Sequence, residues 1–76
     1  MTLKNLRVGR SGRVTSVGGD KALRRRLLDM GITPGTVVFV KKAAPMGDPV
    51  ELLLRGYVLS IRLDDADKID IVEVTV

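Results

Sequence analysis

The sequence contains no cysteine, no histidine and no tryptophan, and it has one phenylalanine and one tyrosine among 76 residues. The absence of cysteine excludes disulfides, thiolate metal sites and a cysteine nucleophile. The absence of histidine removes the most versatile acid, base and metal ligand. Stability must therefore come from a small aliphatic core. We expect one domain over residues 1–76, and homo-oligomerisation remains open as a further source of stability.

Long apolar runs are also absent. None approaches the ~20 residues that a membrane-spanning helix needs, and Met1 leads into patterned sequence without the apolar stretch of a secretory signal. We therefore expect a cytoplasmic protein. The net charge is +4, from 13 Lys and Arg against 9 Asp and Glu, a mild basic bias that permits an acidic partner without requiring one.

One amphipathic helix is predicted in the first half of the chain. Asp20 is a good N-cap, and Leu23, Leu27 and Met30 follow at helical spacing. Gly31 is suited to the left-handed residue that ends a helix. Three arginines, residues 24–26, and Leu28 lie off the apolar stripe. The arginine run indicates either a solvated helix face or a contact site for phosphate or an acidic protein.

Short β-favouring segments separated by glycine and proline predict five strands. The Thr33–Thr36 segment has the pattern of a type II turn, and Gly56 indicates a tight hairpin. The last strand changes its apolar face, which suggests a bulge. The predicted strands are Arg13–Val17, Val37–Val40, Val50–Arg55, Tyr57–Arg62 and Ile69–Val74.

The remaining segments predict loops and caps. Residues 9–12 form a turn, and residues 64–67 form a single helical turn with Asp64 as its cap. The second strand is apolar on both faces, so we expect Phe39 in the core and the opposite face against the helix or a second layer. Strands without long intervening helices favour an all-β fold, a small barrel of about five strands with one short α-helix and a helical turn near the C-terminus.

Catalytic and metal-binding motifs are not evident. The glycine-rich segments at residues 9–12 and 18–20 lack the rest of a phosphate-binding pattern, so we interpret them as turns. The spacing of Asp64, Asp65 and Asp67 matches no calcium loop. We predict no enzymatic activity. Met46, in the loop that ends at Pro49, indicates either a lid on the core or an anchor for a partner.

Taken in order, several motifs resemble the FeoA family. They are the segment RLLDMGITPG at residues 26–35, the loop APMGDP at residues 44–49, Gly56 followed by Ser60-Ile61-Arg62, and Ala66 with Ile69 and Ile71. The resemblance covers roughly residues 3–74, with Ile71 where valine is commoner. It implies an SH3-like barrel and a role in bacterial ferrous iron uptake. The implied partner is the membrane transporter FeoB, which carries a GTPase domain and would hold this chain at the inner face of the membrane.

Iron or another transition metal is implied only by that resemblance. Because iron sites typically use imidazole, thiolate or carboxylate ligands, a chain without His or Cys is a poor carrier of Fe(II), and we expect no intrinsic cofactor. We therefore predict a non-catalytic interaction module that modulates the transporter. The predicted partner surface comprises Arg24, Arg25, Leu28, Lys41, Lys42, Met46 and Asp48.

Two alternatives remain open. A small basic barrel can bind nucleic acid, here through Arg7, Arg10, Arg13 and the arginine helix. The low aromatic content argues against base stacking. A similar barrel also forms the C-terminal domain of some iron-dependent repressors, so the chain can be a stand-alone relative of that domain.

Overall fold

A computed structural model describes residues 1–75. A 3-10 helical turn, Leu3–Asn5, precedes the first strand. The predictions of one short α-helix, a C-terminal helical turn and five strands are confirmed. The elements are β1 (Ser11–Val17), α1 (Lys21–Asp29), β2 (Val37–Ala43), β3 (Val50–Leu54), β4 (Tyr57–Ile61), α2 (Leu63–Ala66) and β5 (Ile69–Val74).

The five strands form one antiparallel sheet in the order β4-β3-β2-β1-β5. Within residues 1–75, β4 and β5 are its edge strands. The N-terminal segment covers part of the β5 edge, because Thr2 bridges to Asp70 and the Ile71 amide donates to the Met1 carbonyl at 2.9 Å. Covering an exposed edge protects it from pairing with other chains.

The boundaries of β1 and β2 differ from the prediction. Ser11 and Gly12 lie in β1 and not in a turn, and β2 continues to Ala43. An ideal Cβ on Gly12 would lie 2.6 Å from Cδ1 of Ile71. Glycine at this position therefore allows β1 and β5 to pack closely, which the turn interpretation missed.

Helix α1 and its exit follow the prediction closely. Asp20 Oδ1 accepts a hydrogen bond from the Leu23 amide at 2.8 Å, so the N-cap is confirmed. Leu27 is fully buried. Gly31 has φ 96°, as a left-handed helix stop requires. The turn after the helix closes with a 3.0 Å hydrogen bond from the Thr36 amide to the Thr33 carbonyl.

The core is aliphatic and draws on every strand, α1 and both helical turns. Its buried apolar members are Leu3, Leu6, Val14, Val17, Leu27, Ile32, Val38, Val40, Val50, Leu52, Leu54, Ile61, Ala66, Ile69 and Ile71. Phe39 is not among them. It is half-buried on the opposite face of β2, so its placement in the core was wrong.

The sequence predicted a bulge in the last strand, but the bulge lies on β1, in its pair with β5. Val14 pairs with Ile71 and Ser16 pairs with Asp70, so the extra residue is Thr15 of β1. Strand β5 contains no extra residue in this pair. Its apolar residues change from the inner face, at Ile69 and Ile71, to the exposed face at Val72, as predicted, but without a bulge in β5. Val72 is exposed on the outer face because the apolar sequence continues there, not because the backbone turns over.

The cap of α2 was also predicted wrongly. Asp64 lies inside the helical turn, and the N-cap position is Arg62, which makes no side-chain capping bond. The amide of Leu63 instead donates to Oδ1 of Asp48 at 3.0 Å, from the loop between β2 and β3. No helix in the described chain is long and apolar enough to cross a membrane.

Candidate interaction surfaces

The three arginines of α1 have different surroundings. Nε of Arg24 donates to the Val17 carbonyl at 3.2 Å, which ties the helix to the end of β1. Arg26 forms an exposed ion pair with Asp65 of α2 at 3.4 Å. Arg25 is exposed, and its side chain makes no hydrogen bond or ion pair among residues 1–75. Of the three, Arg25 is the one whose side chain makes no such bond within the described residues.

The side chain of Leu28 is only partly exposed to solvent. It is half-buried and packs against the core cluster, as Leu23 and Met30 do. Only part of its side chain is therefore available on the surface, beside Arg25.

The loop between β2 and β3 presents Met46 to solvent. Its side chain is 92% exposed, so the alternative in which Met46 forms a lid on the core is wrong. A fully exposed methionine is an adaptable apolar contact for a partner. Asp48, in the same loop, caps α2 and so has a structural function in addition to the one predicted for it.

The two lysines at the end of β2 are exposed, as predicted. Lys42 lies 3.5 Å from Glu51 across the β2–β3 pair. An exposed pair of this kind contributes little to stability. Lys41 sits at a register shift between β2 and β3, and its ammonium makes no ion pair in the part of the chain that the structure describes.

Helix α2 connects the two regions that carry the predicted surface. Asp48 from the β2–β3 loop contacts its first residue, Leu63, and Arg26 from α1 contacts Asp65 in its middle. The contacts thus bring α1 and the loop to the same small helix.

A second surface was missed by the sequence analysis. An open groove of about 710 Å³ crosses the outer face of the sheet. Its lining residues are Gly9, Arg10, Ser11, Val37, Phe39, Leu53, Leu54, Arg55, Gly56, Val74 and Thr75. We call this feature the outer groove.

The floor of the outer groove follows a row of paired residues across four strands. Val74 pairs with Ser11, Ser11 with Phe39, and Phe39 with Leu53. The row continues to Val58 on β4, outside the groove. Ser11, which is buried, is the small member between two larger apolar side chains.

A signal for the outer groove was present in the sequence. Strand β2 is apolar at four successive positions, and Leu53 interrupts the polar alternation of β3. We expected the helix or a second layer to cover such a face. Among residues 1–75 no such layer covers it, and Val37 and Leu53 remain 39% and 40% exposed.

Two arginines line the outer groove on either side of β2. Arg10 donates from Nε to Oε2 of Glu73 at 2.6 Å. Arg55 donates to the hydroxyls of Thr33 and Thr36 at 3.2 and 2.9 Å. Because the hydroxyls are neutral, they hold the Arg55 guanidinium in place without cancelling its charge.

The donor set does not fit a tightly bound iron. The sequence supplies neither His nor Cys, and no group of three or more Asp or Glu side chains in residues 1–75 is placed to hold a metal ion. Iron sites in proteins typically combine imidazole, thiolate and carboxylate ligands, and the first two are missing here. We therefore assign no chemistry of this chain to a resident metal.

Comparison with known proteins identifies relatives over nearly the whole chain. The profile of the FeoA domain matches residues 1–73. A fusion of Fe(2+) transport protein A with the Fe(2+) transporter FeoB, from Porphyromonas gingivalis, is 35% identical over 71 residues. The match covers 93% of this chain and 8% of the fusion protein, so the chain spans a small part of that relative.

Solved structures show the same fold. The FeoA protein of Chlorobium tepidum is 37% identical with a TM-score of 0.91, over 99% of this chain and 71% of that one. FeoA of Stenotrophomonas maltophilia, described as an SH3 domain protein and solved with zinc, is 27% identical with a TM-score of 0.82, over 93% of this chain and 88% of that one. A manganese-dependent transcriptional repressor, 18% identical with a TM-score of 0.89 over 97% of this chain and 36% of its own, shares the fold alone. The predicted SH3-like fold is confirmed.

Proposed function

This chain belongs to the FeoA family, and from that premise we propose that it is a non-catalytic accessory module of ferrous iron uptake. Its partner is the cytoplasmic GTPase region of a FeoB-like membrane transporter. The chain is cytoplasmic and reaches the inner face of the membrane through that partner. Fe(II) is the cargo of the transporter and is not a resident ion of this chain.

The observation that carries this proposal is the Porphyromonas gingivalis relative, in which an FeoA-like region and the transporter form one polypeptide. Covalent linkage gives two modules a high effective concentration for each other. A chain that resembles the linked region is expected to contact the same kind of partner through its exposed surface. An exposed cation and an exposed methionine fit that requirement.

We propose that the surface around α1 and the β2–β3 loop makes this contact. Arg25 and Met46 are exposed and supply one charged and one apolar side chain to this surface. Arg24, Leu28, Lys41, Lys42 and Asp48 flank them, with part of each of Arg24, Leu28 and Asp48 engaged within the fold. Charged residues at the edge of an interface mainly raise the rate of association, whereas an apolar anchor slows dissociation.

The test is a calorimetric titration of this chain into the purified cytoplasmic domain of the transporter, with GTP, with a non-hydrolysable analogue and without nucleotide. We expect saturable binding in the micromolar range and an affinity that depends on the nucleotide. Fe(II) uptake should also fall in cells that lack this chain. Lack of binding at high micromolar concentration together with unchanged uptake would refute the proposal.

Nucleic-acid binding is the competing function. Arg7 and Arg13 are exposed, whereas Arg10 shares its charge with Glu73. If this function were correct, affinity for oligonucleotides would fall steeply with salt because counterions are released. We expect no specific retention on heparin or on oligonucleotides at physiological salt.

A further inference from the structure

The outer groove is not used by the surface proposed above. Its floor exposes Val37 and Leu53 to solvent beside a half-buried Phe39. Contiguous apolar surface on a small protein commonly marks a binding site. Neither Met46 nor Arg25 lines the groove, so the two surfaces can be tested separately.

The size of the outer groove defines what fits it. The row from Val74 to Leu53 crosses from β5 over β1 and β2 to β3. Three strand spacings span roughly 14 Å, which an extended peptide covers with about four residues. Because the row runs across the strands, such a peptide lies over the sheet and does not extend it as an added strand.

The charges that line the outer groove indicate which charge the ends of such a peptide should carry. Arg10 lies on the β1 side and Arg55 on the β3 side, and the residues of the described chain that line the groove include no Asp or Glu. Glu73 contacts Arg10 from β5, whereas Arg55 has only neutral hydroxyl partners. A guanidinium held by neutral groups near an apolar floor favours a carboxylate from a ligand.

We propose that the outer groove binds an extended segment of a partner protein, about four residues long, with large apolar side chains flanked by carboxylates. The apolar side chains lie on Val37, Phe39 and Leu53, and one carboxylate reaches Arg55. This inference rests on the proposed function only in treating the chain as an interaction module. It adds a second contact site, separate from α1 and the β2–β3 loop.

The probe is a fluorescently labelled six-residue peptide with two leucines and two phenylalanines between terminal glutamates. We expect it to bind the full chain in a fluorescence anisotropy titration and to shift the amide signals of Ser11, Phe39 and Leu53 in NMR spectra. A matched peptide with lysines in place of the glutamates should bind about tenfold more weakly, because the attractive pair with Arg55 becomes repulsive. Equal affinity of the two peptides would overturn the proposal.

Two matched variants locate the contact. Leu53→Gln changes the groove floor, whereas Val58→Gln changes the next residue of the same row, which is 46% exposed and outside the groove. We expect Leu53→Gln to weaken peptide binding at least about tenfold and Val58→Gln to leave it unchanged. Both variants should keep the melting temperature of the parent within a few degrees, because both residues lie on the solvent-exposed face and neither belongs to the core. Equal effects on binding would contradict the assignment.

A second copy of this chain is the other occupant to be tested. Sedimentation velocity at rising concentration reports self-association, and dimers abolished by Leu53→Gln would overturn the proposal in favour of a dimer interface. The titration against the transporter's GTPase region is independent of this test. If the GTPase region binds and the glutamate-flanked peptide does not, the inference about the outer groove fails while the proposed function stands. If the peptide binds and the GTPase region does not, the proposed function fails while the inference about the outer groove stands.

Discussion

The hydroxyl of Tyr57 on β4 donates a hydrogen bond to the backbone carbonyl of Met30, at the C-terminal end of α1. The last carbonyls of a helix have no partner within the helix, so a side chain that reaches one of them satisfies it. This bond attaches α1 to an edge strand of the sheet. It also places the phenol directly over Gly31.

Tyr57→Phe tests the value of that attachment. The variant removes the hydroxyl and keeps the ring, so we expect a loss of about 1 kcal/mol in the free energy of unfolding. Urea denaturation followed by circular dichroism measures it. Stability equal to that of the parent would indicate that the Met30 carbonyl is satisfied equally well by water.

Gly31→Ala is expected to be more damaging. An added Cβ would lie 2.5 Å from the Tyr57 hydroxyl oxygen, and the residue has φ 96°. Backbone strain of this kind costs roughly 1–3 kcal/mol, and the displaced hydroxyl adds to it. Gly35→Ala is the matched control, because Gly35 has φ 93° but nothing within 4 Å of its Cβ position. A loss for Gly31→Ala no larger than for Gly35→Ala would show that the tyrosine contact adds nothing.

Asp48→Ala tests the capping of α2 from the β2–β3 loop. Removing the carboxylate leaves the Leu63 amide without its partner and should cost about 1 kcal/mol, as loss of a helix cap does. Asp64→Ala removes an exposed carboxylate of the same helical turn and should change stability by less than about 0.5 kcal/mol. Thermal unfolding of both variants decides which aspartate is the cap, and the opposite order would restore the prediction made from the sequence.

Arg25→Glu tests the proposed partner surface. The side chain makes no contact that holds the fold together among residues 1–75, so we expect unchanged stability and weaker binding to the transporter's GTPase region. Reversal of one interface charge should reduce the affinity about fivefold to tenfold at low salt, and less at high salt. Lys4→Glu is the matched control, since Lys4 is an exposed cation on the N-terminal turn. If both variants weaken binding equally, net charge and not this surface governs the interaction.

Addition of Fe(II) under anaerobic conditions should leave the melting temperature of the isolated chain unchanged. A ligand that binds only the folded state stabilises it in proportion to the logarithm of its concentration over its Kd. The chain has neither imidazole nor thiolate ligands, so we expect a shift of less than about 1 °C at 100 µM metal. A saturable shift of several degrees would show a metal site that the donor set does not explain.

Local chemistry explains what was predictable about α1 and its exit. Asp20 caps the helix, Gly31 ends it, and residues 33–36 turn the chain into β2. Each of these features depends on properties of a few consecutive residues, namely a carboxylate near free amides, a residue tolerant of positive φ, and a proline with fixed φ. These properties act between neighbouring residues, so the sequence pattern was sufficient to predict the helix and its exit.

Contacts between distant residues explain the errors. The cap of α2 comes from Asp48, fifteen residues before Leu63, and the bulge falls on Thr15 because the register of β1 against β5 places it there. Phe39 was assigned to the core on its hydrophobicity alone. Its half-exposed position depends on which face of β2 the rest of the chain covers.

The sequence by itself determined the strand and helix pattern, the aliphatic core, the lack of imidazole and thiolate chemistry, and the family. These depend on periodicity, composition and local turn residues. Only the tertiary structure decided which arginine of α1 makes no hydrogen bond or ion pair among residues 1–75 and which aspartate caps α2. It alone also placed an apolar groove on the outer face of the sheet. The physical reason is that burial and hydrogen-bond partnership are properties of pairs of residues brought together by the fold, and those pairs lie far apart along the chain.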